Sequence, residues 1–447
     1  MAEITRVTTK RPNLDMLDDT QRLAVESVVN EEEQNVVIQA NAGSGKTLTL
    51  TMAIGNYRYE YINDSICAIT FTRAAKAEME DRLHQMGIYD VDVATIHAWA
   101  KTRLDKFAKQ YNIKLAIIQE PEIKYILKNF IVPMYVQTHK AIRNINVDIL
   151  YSFIAGAKNM DVSDNYKKTL IALEERYKAY KKENGLYDFG DYPKYLLDIM
   201  LKYDEYIYDI DALFVDEFQD VDPDQFDVFT RVDTKKKFYI GDLKQSIYQF
   251  RGADGEVFDK LNGFKEYNLQ YNYRSYQVII DFATEFYKSN RAALDMCIEN
   301  SITDFIPTGR TNGLVTCARG SGGEVYVMYE PSWSKDGYNC DKYTEDNSST
   351  LDGSLAFKYF MSLKPMVLCR TNKQVRELCA SGLNATTIHQ AKGLEYKNVL
   401  IVDFTVSSEE DLNIAYVGLT RAEDKLMIIK YETLLELMKD SYKKSLL

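Results

Sequence analysis

A glycine-rich turn followed by lysine and threonine is the first segment whose residue types could do chemistry: VVIQANAGSGKT, at 36–47. Small residues let backbone N–H groups close round phosphate oxygens, and the N-terminus of a following helix adds positive potential. In such a loop Lys46 would reach the β- and γ-phosphates, and Thr47 would hold Mg²⁺. The usual pattern has Gly where this chain has Ala40. A chance Gly-rich turn is therefore the alternative, although the apolar run before the turn favours a phosphate loop.

Two carboxylates follow another apolar run in ALFVDEFQD (212–220), and the first of them, Asp216, lies 170 positions after Lys46. Asp216 is placed to hold Mg²⁺ through water, and Glu217 to take a proton from an attacking water. A strand that ends in Asp-Glu is by itself a weak signal, and more often a simple turn. Together with Lys46 and Thr47 it supplies the second half of a phosphoryl-transfer site.

Short apolar runs that end in Gly- or Asp-rich turns recur in two regions, and these elements must position the reactive side chains. Runs this continuous are typical of strands buried on both faces of a parallel sheet. We therefore predict an α/β fold with two doubly wound layers. The runs are VVIQ (36–39), ICAIT (66–70), ALFV (212–215) and KFYIG (237–241) in the first region, and EVYVMY (324–329), MVLCR (366–370) and NVLIVD (398–403) in the second.

The segment 101–206 is rich in Lys, Tyr and Glu and has apolar residues at helical spacing. We interpret it as a mostly helical insert in the first α/β domain. Two apolar helix faces are predicted, one from Leu170, Leu173, Tyr177 and Tyr180 and one from Ile123, Leu127 and Phe130. Segments 303–323 and 330–354 are rich in Gly, Ser, Asn and Asp, which predicts loops.

Composition limits the class of protein. A length of 447 residues allows two or three domains, and the net charge of −11 argues against a protein that coats nucleic acid over its whole surface. The six cysteines include no C-x-x-C pair, so we expect no metal cluster and a reducing compartment. No apolar stretch approaches the roughly 18 residues of a membrane span. We expect a cytoplasmic protein without a membrane partner.

A series of blocks in a fixed order resembles the superfamily-one DNA helicases of the UvrD/Rep/PcrA type. The blocks span nearly the whole chain, and together they are highly specific. They are QANAGSGKT (39–47), AITFTRAAKAEM (68–79), VATIHAWA (93–100), ALFVDEFQD (212–220), YIGDLKQSIYQFRGAD (239–254), LQYNYRS (269–275), VLCRTNKQVREL (367–378), TTIHQAKGLEYKNVLIVD (386–403) and AYVGLTRAEDKL (415–426).

The resemblance implies an architecture and a substrate. It implies two RecA-like P-loop domains with ATP and Mg²⁺ bound in a cleft, and 3′-to-5′ movement on single-stranded DNA that unwinds duplex at junctions. We place the first motor domain at 1–100 and 207–275, the helical insert at 101–206 and the second motor domain at 276–447. A replication or recombination protein is expected as a loader.

The resemblance also assigns nucleotide contacts. Gln21 would read adenine with its amide, Tyr273 would stack on the base, and Glu395 would bind the ribose hydroxyl. Gln245 would sense γ-phosphate and water, while Arg274 and Arg421 would stabilise the transition-state charge. For each arginine the alternative is a surface salt bridge, and for Tyr273 it is packing. The loop residues of the cofactor site are Ala42, Gly43, Ser44, Gly45, Lys46, Thr47 and Leu48.

DNA contacts are implied in the same way. Flat side chains that stack on bases tolerate any sequence, and backbone contacts add affinity. Single aromatic residues are more often part of a core, and lone histidines are more often structural, so packing is the alternative. Phe250 stands where related helicases often have Trp, and Arg73 and Lys76 occupy shifted positions in their block. The candidates are Phe71, Arg73, His97, Tyr248, Phe250, Arg251 and His389.

The family's large insertion in the second motor domain, 2B, is missing, because only 15 positions separate Asn372 from Thr387. The chain also ends 26 residues after Arg421, so we expect it to have neither a nuclease domain nor a long C-terminal tail. We therefore expect a compact motor, of a kind common in phage-encoded proteins. Two alternatives remain: a translocase that strips proteins from single strands or acts on RNA, and an inactive DNA-binding scaffold.

Overall fold

The computed structural model describes residues 11–139, 145–156, 162–247, 257–296, 298–302, 315–320, 322–329, 338–402 and 404–444. The strands are β1 (Asn35–Ala40), β2 (Ile66–Thr70), β3 (Asp92–Thr95), β4 (Ala212–Val215), β5 (Lys236–Gly241), β6 (Lys265–Leu269), β7 (Tyr271–Asn272), β8 (Asn300–Ser301), β9 (Thr316–Cys317), β10 (Glu324–Tyr329), β11 (Asn339–Tyr343), β12 (Ser348–Asp352), β13 (Met366–Cys369), β14 (Ala385–Thr387), β15 (Tyr396–Val402), β16 (Thr405–Val406) and β17 (Ala422–Ile429).

Helices alternate with these strands through most of the chain. They are α1 (Asp19–Glu26), α2 (Lys46–Glu60), α3 (Arg73–Gln85), α4 (Ile96–Tyr111), α5 (Glu120–Ile126), α6 (Val132–Thr138), α7 (Val147–Ile154), α8 (Asp164–Asn184), α9 (Tyr192–Tyr203), α10 (Pro223–Thr230), α11 (Gln277–Asp295), α12 (Gly353–Ser362), α13 (Asn372–Ala380), α14 (Ile388–Ala391), α15 (Glu409–Leu419) and α16 (Tyr431–Lys444). Single turns of tighter helix at Phe189–Asp191, Phe218–Asp220 and Leu243–Gln245 carry residues that matter below.

A six-stranded parallel sheet has the order β3-β2-β4-β5-β1-β6. The strands β2 and β4 are buried at every position, as expected for strands covered on both faces. All four apolar runs predicted for the first region form strands of this sheet. The α/β prediction is therefore confirmed for this region.

A second sheet of seven strands has the order β12-β11-β10-β17-β15-β13-β14. Alternate residues of its central strands enter two different cores. Val325, Val399 and Leu426 belong to one, with α11 and α15. Their neighbours Tyr326 and Leu400 belong to the other, which includes residues of α12 and α16. Both faces are thus covered, which is why the strands are continuously apolar.

The second sheet is mixed rather than purely parallel. The strand β10 pairs with β17 in parallel but with β11 antiparallel, and β11 and β12 form an antiparallel pair. The prediction of loops across 330–354 is therefore wrong for its described part, 338–354, which contains β11, β12 and the start of α12. Every residue of β12 is exposed at the sheet edge, so no buried face left an apolar pattern to detect.

Two compact units contain the described residues. One is formed by Tyr61–Val215 and Val221–Lys237, and the other by Lys10–Glu60, Asp216–Asp220 and Phe238–Leu447. In the first unit, helices α4 to α9 form the predicted helical segment. Its core contains Leu170, Leu173 and Tyr177, with Tyr180 packed against it, so that predicted face is confirmed.

The other predicted face of the helical segment is partly wrong. Ile123 and Leu127 are buried in the same core, but Phe130 is 39% exposed. A turn of π-helix at Leu127–Ile131 interrupts the α-helical spacing on which the prediction depended. Phe130 instead lies near the rings of Tyr125 and Tyr180.

Glu324 on β10 links three neighbouring strands through ion pairs. Its carboxylate accepts bonds from Lys342 on β11 and from Lys425 on β17. Burial opposes ionisation of Glu324, but the bonds from Lys342, Lys425 and Tyr326 outweigh it and lower its pKa to about 2. A carboxylate with a lowered pKa stabilises the fold above its ordinary pKa, and that stability is lost as the pH falls through the lowered value.

We predict that Glu324→Gln lowers the thermal unfolding midpoint at pH 7 by about 2–4 °C, the value expected for roughly 1 kcal/mol in a unit of this size. The difference from the wild type should shrink between pH 4.5 and pH 2 as the native carboxylate protonates. Calorimetry at pH 7, 5 and 3 measures it, with Glu299→Gln as an exposed control. An effect of the same size at pH 3 would contradict this account.

Candidate nucleotide and nucleic-acid site

The glycine-rich turn forms the predicted connection between β1 and α2. Gly43 and Gly45 have φ values of 68° and 78°, in the left-handed region that favours glycine. A Cβ at Gly43 would lie 2.7 Å from Nδ2 of Asn272 and 2.8 Å from Cβ of Arg274. The hydroxyl of Ser44 is buried and lacks a hydrogen-bond partner among the described residues. A free donor in a turn that no larger residue could enter fits a phosphate-binding loop.

Three residues from elsewhere in the sequence hold the turn in shape. Nε2 of Gln21 donates to the carbonyl of Ser44 at 2.9 Å, while Nδ2 of Asn272 donates to that of Ala42 at 2.5 Å. The amide of Tyr273 donates to the carbonyl of Gly43 at 2.8 Å. These bonds occupy three consecutive carbonyls of the turn. Gln21 also completes the capping box of α1 with Asp18, so its amide has a structural role beside the predicted contact with adenine.

The two carboxylates of ALFVDEFQD follow β4 as predicted. Asp216 is buried, and its Oδ1 accepts from the amide of Glu217. Glu217 has a φ of 47°, which is uncommon for a residue with a side chain and is a form of backbone strain found at functional sites. Oε2 of Glu217 lies 3.8 Å from Nζ of Lys46. The strained turn thus places the carboxylate beside the lysine of the phosphate loop.

The charge state of Glu217 follows from its neighbours. Burial opposes ionisation, but Lys46 and Lys392 outweigh it and lower the pKa of Glu217 to about 2. The carboxylate is therefore ionised at neutral pH. An ionised carboxylate next to a phosphate loop can accept a proton or orient a water molecule.

A chain of hydrogen bonds leads from Glu217 to Arg421. Nε2 of Gln219 donates to Glu217 at 2.5 Å, and Oε1 of Gln219 accepts from the amide of Asp242 at 2.9 Å. The carboxylate of Asp242 accepts from Nε2 of Gln245 at 2.6 Å. Nη2 of Arg421 lies 3.4 Å from Oε1 of Gln245. The structure thus connects three predicted residues through Gln219 and Asp242, whose roles the sequence analysis missed.

Arg421 is 1% exposed, so the alternative of a surface salt bridge is wrong for it. Its Nε donates to the carbonyl of Val417 at 2.9 Å, and Nη1 donates to that of Leu394 at 3.1 Å. Burial, with Arg274 nearby, lowers its pKa to about 9, which leaves it protonated at neutral pH. The guanidinium is a buried cation whose Nη2 contacts Gln245.

Lys392 and Asp220 form a buried ion pair that the sequence analysis also missed. Nζ of Lys392 donates to Oδ2 of Asp220 at 2.6 Å and to the carbonyl of Gln245 at 2.8 Å. Burial raises the pKa of Asp220 to about 6, against the attraction of Lys392. Both residues lie in sequence blocks that resemble helicase motifs, but only the structure shows that they form a pair.

Arg274 and Glu395, predicted to contact the γ-phosphate and the ribose respectively, contact each other. Nε of Arg274 lies 2.9 Å from Oε2 of Glu395, and Nη1 donates to the carbonyl of Thr420 at 3.3 Å. Tyr273 is 41% exposed, and its hydroxyl donates to Asp18. Leu48 and Thr47 lie half-buried at the start of α2. The nucleotide roles of these residues stay predictions.

The predicted DNA contacts fall in both units. In the first, Phe71 is half-buried after β2, and Arg73 is exposed at the start of α3. His97 stacks on Phe189, with ring centroids 5.0 Å apart and 11° between the planes. Phe189, in a short turn between two helices, is 62% exposed and was not predicted.

The remaining DNA candidates are described only in part. His389 lies half-buried on α14, in the second unit. The predictions for Tyr248, Phe250 and Arg251 lie outside the described residues. The DNA-binding roles of all seven candidates stay predictions.

The described residues offer neither a metal cluster nor a membrane-spanning helix. They contain no group of three or more His, Cys, Asp or Glu side chains arranged to hold a metal ion. They also contain no helix with the length and apolarity needed to cross a membrane. Magnesium is a different case, since it keeps several waters and needs only one or two protein ligands beside phosphate oxygens. Thr47 at the loop and the buried Asp216 are suitable oxygen donors for it.

Comparison with known proteins places these features in a family. The family model of the UvrD/REP helicase N-terminal domain matches residues 17–265, which include the phosphate loop and the carboxylates. The model of the UvrD-like helicase C-terminal domain matches residues 382–429, which include Lys392, Glu395 and Arg421.

Relatives of similar sequence carry related names. A probable DNA helicase II homolog of Mycoplasma capricolum is 29% identical over 62% of this chain and 42% of its own length. A probable DNA helicase of Mycoplasma pneumoniae is 24% identical over 88% of this chain and 80% of its own length. The Gabija protein GajB of Bacillus cereus is 24% identical over 91% of this chain and 96% of its own length.

The chain thus spans less than half the length of the first of these relatives and most of the other two. The first family model alone covers more than half of the chain. Its match contains the loop of Lys46, the carboxylates of Asp216 and Glu217, and Gln245. On this basis, the chain belongs to the UvrD/REP helicase family.

Proposed function

We propose that this protein is an ATP-dependent DNA helicase that moves 3′-to-5′ along single-stranded DNA and unwinds duplex at junctions. The observation that carries the proposal is the connected set Lys46, Glu217, Gln245 and Arg421 within one unit. The domain boundaries given above, with 101–206 as the helical insert, are part of the proposal. So are a cytoplasmic location and a replication or recombination protein as loader.

ATP and Mg²⁺ are the proposed cofactors. Backbone amides of the turn at 42–45, the ammonium of Lys46 and the hydroxyl of Ser44 would bind the phosphates. Thr47 and Asp216 would hold Mg²⁺, which when bound neutralises charge on the β- and γ-phosphate oxygens. Tyr273, with its exposed ring, would stack on the base.

Glu217 would accept the proton of the attacking water. Gln219 holds its carboxylate in place, and Gln245 is held by Asp242, so neither side chain has to find its orientation during the reaction. Arg421 is already buried and bonded, whereas the ion pair of Arg274 with Glu395 is partly exposed. Exposed pairs contribute little, about 0–1 kcal/mol, so a γ-phosphate can replace Glu395 as the partner of Arg274. Glu395 would then be free for the ribose.

Single-stranded DNA would bind through stacking and a few cations. Phe71, Arg73 and His97 are the proposed contacts in the first unit, joined by Phe189, and His389 is the proposed contact in the second. A chain with net charge −11 has no uniformly basic surface, so rings have to supply much of the affinity.

A strand-displacement assay tests the function directly. Duplexes with a 3′ or a 5′ single-stranded tail are incubated with ATP, beside the same tails blocked by streptavidin. Unwinding of the 3′-tailed duplex alone supports the proposal. Removal of streptavidin without unwinding favours the translocase that strips proteins, and DNA binding without ATP hydrolysis favours the inactive scaffold.

Lys46→Ala tests the phosphate site. We predict that DNA-stimulated ATP hydrolysis falls by at least about 10³-fold, because the phosphates lose the loop cation. Binding of single-stranded DNA, measured by fluorescence anisotropy, should stay within about threefold of the wild type. Retained hydrolysis would refute the phosphate assignment.

Tyr273 offers a matched pair of variants. Tyr273→Ala removes the ring, and we predict that the KM for ATP rises at least tenfold while kcat changes less, as expected when binding shared by ground and transition states is lost. Tyr273→Phe removes only the hydroxyl that donates to Asp18 and should behave like the wild type. A normal KM with a low kcat in Tyr273→Ala would point to packing instead.

Phe189 tests the proposed DNA contact in the first unit. Phe189→Ala should weaken binding of single-stranded oligothymidine by roughly tenfold, since stacking is worth about 1–3 kcal/mol per base. Phe130→Ala is the control, because Phe130 is also a partly exposed phenylalanine of the first unit. Equal losses in the two variants, or none in Phe189→Ala, would exclude the proposed contact.

A further inference from the structure

We infer that Arg319 is a positioning residue. It attaches the backbone segment that carries Arg274 to β17, the strand that begins directly after Arg421. It lies two residues beyond β9, outside every sequence block that resembles a helicase motif. The inference rests on the proposed function for the role of Arg274 and Arg421, but the contacts themselves lie within one unit.

Arg319 joins two segments with one guanidinium. Its Nη1 donates to the backbone carbonyl of Arg274 at 2.8 Å, and its Nη2 donates to Oδ1 of Asp424 at 2.7 Å. Its Cζ lies 4.3 Å from the centroid of the Tyr276 ring, a favourable cation–π distance. The side chain is 29% exposed, so these partners enclose most of it.

The backbone next to Arg274 is bound to the same strand, β17. The hydroxyl of Ser275 donates to the carbonyl of Ala422 at 2.5 Å, and the amide of Tyr276 donates to that of Glu423 at 3.2 Å. Asp424, which accepts a hydrogen bond from Arg319, is three residues beyond Arg421. The segments that carry the two candidate phosphate arginines are thus joined by consecutive contacts, and Arg319 supplies the only ionic one among those named.

The other end of the Arg274 segment is bound to the phosphate loop. Oδ1 of Asn272 accepts from the amides of Arg274 and Ser275, and Nδ2 of Asn272 donates to Ala42. The strand pair β7–β9 and the bond from the amide of Ala318 to the carbonyl of Asn272 bring Arg319 beside this turn. Arg319 therefore acts on a turn that contacts both the loop and β17.

Arginine suits this place better than lysine. The planar guanidinium presents several donors in a fixed fork, so it can bond a carbonyl and a carboxylate at once while it packs on a ring. An ammonium is a point charge on a flexible stem. Gly322 and Gly323 pack against Tyr276, and a Cβ at Gly323 would lie 2.7 Å from Cβ of Tyr276. The ring that supports Arg319 is thus itself closely packed.

The test combines kinetics with hydrogen exchange on the full chain. In Arg319→Ala, kcat for DNA-stimulated ATP hydrolysis should fall by roughly 10- to 100-fold with the KM for ATP within about threefold, because a misplaced arginine affects the transition state more than binding. Arg319→Lys should recover only part of kcat. Arg291→Ala, which removes a partly exposed ion pair with Glu409 in the same unit, should match the wild type in kcat and KM.

Exchange of backbone amides in 271–276 and 420–424 is the second readout. It should speed up in Arg319→Ala and stay unchanged in Arg291→Ala. Unchanged exchange, unchanged kcat, or a KM that rises as much as kcat falls would each overturn the inference. If Arg319→Ala does not fold, Arg319→Lys decides between the same outcomes. A wild type without ATP hydrolysis refutes the proposed function instead, while exchange alone still decides whether Arg319 holds the Arg274 segment.

Discussion

The burial of Arg421 is the interaction on which the rest of the nucleotide site depends. A guanidinium cannot leave water without replacing its hydrogen bonds. The backbone carbonyls of Val417 and Leu394 and the side-chain oxygen Oε1 of Gln245 replace them here. The end of α15, the turn before β15 and the turn after β5 therefore have to meet at one point. The cation fixes three elements before any ligand arrives.

The fold could be predicted from the sequence where burial leaves a pattern. β2, β4 and the central strands of the second sheet are covered on both faces, so their residues are continuously apolar. The hairpin of β11 and β12 could not be predicted. Every residue of β12 is exposed at the sheet edge, so its sequence lacks the apolar pattern of a buried strand. Phe130 was assigned to the apolar helix face because α-helical spacing was assumed. The turn of π-helix at Leu127–Ile131 changes that spacing, and the amino-acid composition does not reveal it.

The site was predictable where one motif carries the chemistry. The loop before Lys46 and the carboxylates after β4 are local features, and the structure places them 3.8 Å apart at Lys46 and Glu217. Lys392 and Arg319 were missed because their roles depend on partners that are distant in sequence, and Gln219 was missed because it links Glu217 to Asp242, which lies 23 positions away. Lys392 and Asp220, for example, lie 172 positions apart. A glutamine, lysine or arginine in isolation does not reveal such a partner.

The edges of the second sheet have a consequence for behaviour in solution. Its apolar strands are central, while the outermost strands, β12 and β14, are five and three residues long. β12 reads SSTLD, with polar side chains at four of its five positions. Short polar edges offer a poor template for strands of another molecule. The second sheet therefore ends in strands that offer few backbone groups for edge-to-edge pairing with another molecule.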